Sequence, residues 1–153
     1  LDIRSKQLPE SNYEKSKLLF SKIALNLSKI YKINCRLMRV FNVYGKGENK
    51  QKLLSSLQQA IKKNKQFTIT SSKQEKDFIE IDKVSDVLID TLNFKKNSKN
   101  FPQIWHVASG NSMTIKNFVI SKINKKSIKN IIFKNNNKTI RHFKSSKKSI
   151  WKI

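Results

Sequence analysis

Four stretches with apolar residues at three- and four-residue spacing alternate along this chain with short apolar runs of strand length, and that alternation restricts the folds open to it. The first helical stretch runs from about Ser11 to Tyr31, carrying Leu18, Leu19, Ile23, Leu27 and Ile30, with Ser11 placed as its N-cap and Asn34 breaking the pattern. The run Cys35 to Val43 (CRLMRVFNV) reads as one buried strand, and Tyr44 to Asn49 as a glycine-bearing loop. A second helix carries Leu53, Leu54, Leu57, Ala60 and Ile61. Short strands follow at Phe67 to Thr70 and Phe78 to Ile81, and Asp82 is placed to cap a helix through Val84, Val87, Leu88 and Leu92. Ile104 to Ala108 is a further strand, Thr114 caps a helix through Phe118 and Ile123, and Ile131 to Phe133 is a last strand. Helices alternating with strands predict an α/β protein with at least part of a parallel sheet.

The chain has 153 residues, which is enough for one domain with a core; the reading is a folded unit over 1–134 and a basic tail over 135–153. No run approaches the roughly 18 apolar residues of a membrane span. The N-terminus lacks the apolar core of a secretory signal, so a soluble, cytoplasmic chain is expected. A single cysteine, Cys35, excludes an internal disulfide and a cysteine-rich zinc site. Only three glycines occur, and Gly45–Gly47 is followed by Lys50 where a phosphate-cradling turn would need its third, so no dinucleotide fingerprint is present.

Charge is the most uneven feature: 33 Lys plus Arg against 10 Asp plus Glu, a net of +23. A basic nucleic-acid-binding module would gather these charges on one face with aromatics interleaved. Here the lysines are spread along the whole chain, and arginine, the better base reader, stands only at Arg4, Arg36, Arg39 and Arg141. Nucleic acid is therefore the weaker alternative, while the basic field still attracts anions such as phosphate esters.

The first helix opens with Tyr13-Glu14-Lys15-Ser16-Lys17, which puts Tyr13 and Lys17 on one helical face. A phenol with a pKa of about 10 is a poor acid–base group near neutrality. A fixed ammonium beside it stabilises the phenolate and makes the oxygen usable as a general base or acid. In a chain this rich in lysine, the pair by itself is a weak signal.

Three further segments follow it in order: Arg39-Val40-Phe41-Asn42-Val43-Tyr44-Gly45-Lys46-Gly47, then Lys76-Asp77-Phe78-Ile79, then Trp105-His106-Val107-Ala108-Ser109-Gly110. Together with Tyr13 and Lys17, this series resembles the extended short-chain dehydrogenase/reductases, the nucleotide-sugar epimerases, dehydratases and ketoreductases, from about Leu8 to Ile123. The resemblance implies the C-terminal part of a Rossmann-type, doubly wound parallel sheet plus the small substrate-binding subdomain. It implies NAD or NADP as cofactor, a nucleotide-diphosphate sugar as substrate, no metal, and a homodimer when full length. Carried over by position, Tyr13 is the catalytic acid–base. Lys17 lowers its pKa and holds the nicotinamide ribose, and Phe41 lies beside the nicotinamide. Asn42 binds the sugar or its phosphate, Lys52 and Leu53 contact the nucleotide, and Lys76 stands where an arginine usually grips the diphosphate. A lysine keeps the charge there but not the two-pronged geometry. The G-x-G-E loop and the K-D-F-I segment lean towards a 4-keto reductase or an epimerase.

The family's glycine-rich βαβ cofactor unit and its catalytic Ser or Thr precede the tyrosine. Only twelve residues precede Tyr13, so this chain is expected to be a fragment with no turnover by itself, or a non-catalytic remnant. The remaining residues are read as structural. His106 is a satisfied core histidine, Cys35 a small core residue, Trp105 packing, Glu48 a solvated carboxylate, Asp77 a hydrogen-bond partner, and Met113 to Phe118 a helix face.

Overall fold

The computed structural model describes residues 7–93 and 103–135. Helix α1 (Asn12–Ile30) starts at a capping box: the Ser11 hydroxyl accepts from the Glu14 amide, and the Glu14 carboxylate accepts from the Ser11 amide. Strand β1 (Arg36–Val40) follows, then β2 (Asn42–Tyr44), α2 (Leu53–Lys62), β3 (Phe67–Ile69), β4 (Glu75–Glu80) and α3 (Ile81–Asn93). The chain continues through β5 (Gln103–Val107), β6 (Ser112–Thr114), α4 (Ile115–Lys122), a short 3₁₀ turn (Lys125–Asn130) and β7 (Ile131–Phe133).

Three parallel pairings confirm the expected sheet type: β1 with β5, β2 with β4, and β3 with β7. An antiparallel pairing of β6 with β4 completes a three-stranded sheet in the order β2-β4-β6. Two apolar clusters form the interior. Leu54, Leu57, Ile69, Ile115, Phe118, Val119 and Ile131 pack beneath α2 and α4, while Ile79, Val84, Val87 and Val107 pack between α3 and the strands. His106 is buried with its ring edge-on to Phe41, at 5.2 Å between centroids.

Several elements depart from expectation. The run Cys35–Val43 is not one buried strand: it breaks at Phe41 and feeds β1 and β2 into two different sheets, and β1 is only half-buried. Strand β4 starts at Glu75, three residues before the apolar run, because Glu75, Lys76 and Asp77 pair with β6. Asp82 lies inside the first turn of α3 rather than before it, where its charge still suits the helix dipole. Thr114 caps α4 as expected, its hydroxyl accepting from the Asn117 amide. Cys35 is half-buried below β1 rather than in either core. The linker at Lys95–Asn100 and nearly all of the 135–153 tail lie outside the described residues. No helix among the described residues is long and apolar enough to cross a membrane.

Candidate functional site

The break at Phe41 is what opens a site. Where the chain leaves β1 and enters β2, Phe41, Asn42 and Tyr44 line a cleft of about 640 Å³. The loop Gly45–Asn49, the start of α2 at Lys52 and Leu53, and Lys76 and Phe78 of β4 complete its wall, with Ile115 and Phe118 at its floor. Asn42, Lys52, Leu53, Lys76 and Phe41, singled out separately along the sequence, thus converge on one cavity.

Side chains alternate along β4, so Lys76 and Phe78 take surroundings different from those of Asp77 between them. Lys76 is half-buried; loss of hydration, then the nearby Lys52 charge, holds its ammonium below the usual lysine pKa. Two cations facing one cleft with partial desolvation make a place where an anion relieves both costs. One amide N–H of Asn42 donates to the Asp77 carbonyl at 3.0 Å, which orients the carboxamide in the wall.

Asp77 is wholly buried. Its Oδ1 accepts from the Ser109 amide and hydroxyl, both at 2.8 Å, and its Oδ2 from the Gly110 amide at 2.9 Å. The expectation of a hydrogen-bond partner is met, and these donors are what allow a carboxylate in the interior.

The apolar side of the cleft is aromatic. Phe78 stacks on Phe118 with 3.7 Å between centroids, and Tyr44 meets Phe118 edge-on at 5.0 Å. The Lys122 ammonium donates to the Tyr44 hydroxyl at 3.0 Å and covers its ring. Phe118 escaped the sequence reading, where it looked like any helix-face residue; only the β6–α4 return carries it to the cleft. Glu48 is not a solvated carboxylate. It is half-buried and accepts from the Ser55 amide at 3.0 Å, capping α2, whose N-cap residue Lys52 makes no side-chain cap bond. Gly45 passes so close to α3 that an added Cβ would lie 2.5 Å from Ile81 Cγ2, and its φ of +146° already disfavours other residues.

Tyr13 and Lys17 lie apart from this cleft's lining. Tyr13 is 70% exposed in the first turn of α1, and the Lys17 ammonium stands 5.6 Å from its ring centroid. The helix does place both on one face, but the Lys17 ammonium lies over the ring. Among the described residues no cluster of three potential metal ligands occurs.

The described residues thus form an α/β unit with parallel strand pairs and a basic, aromatic-walled cleft lined by β2, β4 and the start of α2. The sequence pattern of the NAD dependent epimerase/dehydratase family matches residues 2–108, and the chain belongs to that family. The fold is similar to UDP-N-acetylglucosamine 4-epimerase from Methanobrevibacter ruminantium M1 in complex with UDP-N-acetylmuramic acid, with TM-score 0.77 and 18% identity over 95% of this chain and 48% of that one. It is similar to dTDP-glucose 4,6-dehydratase from Bacillus anthracis str. Ames in complex with NAD, at TM-score 0.75 and 18% identity over 97% and 48% of the two chains. RMD from Pseudomonas aeruginosa, complexed with NADPH, gives TM-score 0.77 and 16% identity over 95% and 50%. The chain thus spans about half the length of these solved structures. No curated protein sequence matches it.

Proposed function

We propose that the cleft binds the nucleoside-diphosphate part of a nucleotide sugar, and that the chain is the C-terminal, substrate-binding part of an NAD- or NADP-dependent epimerase, dehydratase or ketoreductase. The observation that carries this reading is the pairing of half-buried Lys76 with Lys52 across a cavity that also holds Asn42. An ammonium that has already lost part of its hydration gains most from a phosphate oxygen. Asn42 is the group that reaches the sugar or the adjoining phosphate, and Phe41, beside it, faces the nicotinamide. Leu53 supports the nucleotide at the start of α2.

In this reading Tyr13 exchanges a proton with a sugar hydroxyl while hydride leaves or joins the same carbon. Lys17 stabilises the phenolate and holds the nicotinamide ribose. The cofactor supplies the hydride chemistry; this chain supplies charge, orientation and the proton. Tyr13 on α1 is exposed and apart from the cleft lining. The protein acts in the cytoplasm, and as a homodimer when joined to a cofactor-binding half. Support for a protein–protein surface comes from α1, where Leu19, Phe20, Ile23, Leu27 and Ile30 all stand exposed.

The 153 residues hold no glycine-rich cofactor turn, so they turn over no substrate by themselves. The test is a fixed-time assay of the chain with NAD or NADP and a panel of UDP- and dTDP-hexoses, read by cofactor absorbance and by chromatography of the sugar. No product is expected. Steady turnover that survives repurification would overturn the reading of these residues as a binding part.

A further inference from the structure

The cleft wall is built from strands of one sheet, yet the chain segments that shape it cross between two. β1 and β5 pair with each other, β2 and β6 flank β4, and among the described residues no ladder joins the two sheets. We infer that Asp77 is the positioning residue of the cleft: its carboxylate fastens the turn after β5 to β4, while its own carbonyl aims Asn42. This rests on the diphosphate reading given above.

The geometry supports it from both ends. Asp77 sits in β4 directly after Lys76, and three donors from Ser109 and Gly110 hold its two oxygens. The pairing of Asp77 with Ser112 in the β4–β6 ladder holds its peptide, so the carbonyl that receives Asn42 Nδ2 and the carboxylate that holds the Ser109–Gly110 turn belong to one fixed residue. Asn42 is paired with Phe78 in the β2–β4 register, which places the carboxamide beside the same short stretch of β4 that carries Lys76. A buried, fully bonded carboxylate stabilises less than an apolar side chain of equal fit would, but it specifies one arrangement of the strands it joins. The gain here is a constant spacing between Asn42 and Lys76.

The experiment compares the 153-residue chain with Asp77→Asn and Ser109→Ala. Asparagine keeps one acceptor oxygen but turns an N–H₂ towards a backbone N–H, so the turn comes loose. Ser109→Ala removes the hydroxyl, which donates to Asp77 and accepts from the Asn111 amide, and keeps both backbone bonds to the carboxylate, so a folded variant remains if the first fails. Three readouts are taken on folded protein: the Asn42 side-chain amide resonance, the titration of Lys76 followed with labelled lysine, and affinity for uridine diphosphate. Expected in Asp77→Asn are a displaced Asn42 resonance, a Lys76 titration moved from that of the unaltered chain, and binding weaker by about tenfold. Ser109→Ala moves all three in the same direction by less, with binding weaker by about twofold to threefold. A folded variant of either kind with the Asn42 and Lys76 signals unmoved overturns the inference. Failure of the unaltered chain to bind uridine diphosphate defeats the diphosphate reading instead, and the two resonances still decide the role of Asp77.

Discussion

Lys76 carries more of the account than any other single residue. Its lowered pKa arises from lost hydration and from Lys52, and both causes act on the charged form. The folded chain therefore releases this proton at a lower pH than the unfolded chain does. Below the lowered value the charge is present in both states and its burial costs stability in full. The cost falls as pH rises from that value towards the ordinary 10.5, so this group makes the fold more stable through that window. Anion binding runs the opposite way: uridine diphosphate affinity should decline as pH passes the lowered value, as a calorimetric pH series would show. Replacing Lys76 with arginine should keep or improve affinity, because the guanidinium holds its charge throughout and offers two donors to one phosphate. The residue-level reading of the sequence named Phe41, Asn42, Lys52, Leu53 and Lys76 of this wall. It missed Phe118 and misjudged Glu48, because a floor residue and a helix cap are both defined by partners far from the motif.

At the scale of elements, the caps of α1 and α4 were legible, while the Asp82 cap and the strand boundaries were not. Ser11 and Thr114 announce α1 and α4 through local chemistry that needs no tertiary partner, and the structure adds Glu14 to the first of these caps. Thr114→Ala should lower stability by about 1 kcal/mol, measurable by urea unfolding. The Cys35–Val43 run looked continuous because apolar residues fill both strands; only their pairing with β5 and β4 separates them at Phe41. Glu75–Asp77 gave no strand signal at all, since charged residues enter β4 through the pairing with β6. Leu57, fully buried on the inner face of α2, should cost about 2–5 kcal/mol when cut to alanine, which the same unfolding experiment reads.

For the molecule as a whole, two features bear on how it works with other chains. One is length: the solved relatives are about twice as long. The other is the apolar exposure of α1, matched on α3 by Leu88, Ile89 and Leu92, the last 84% exposed. A helix with an apolar stripe on its outward face is built to be covered. On the proposed homodimer reading, in the protein joined to a cofactor-binding half, Ile23→Glu with Leu27→Glu should shift the dimer towards monomer in sedimentation velocity while leaving the circular dichroism spectrum intact. Unchanged self-association would remove α1 as the contact surface. None of this was readable from net charge, which describes the solvated surface and says little of the cleft.

Whether the proposed Lys52–Lys76 cleft takes a nucleoside diphosphate is decided by one titration: uridine diphosphate and uridine into the unaltered chain and into Lys76→Ala, by calorimetry. Saturable one-to-one binding of the diphosphate, little of the nucleoside, and a loss of about tenfold or more in Lys76→Ala are expected. Equal affinity in the two proteins, or equal affinity for the nucleoside, would contradict it.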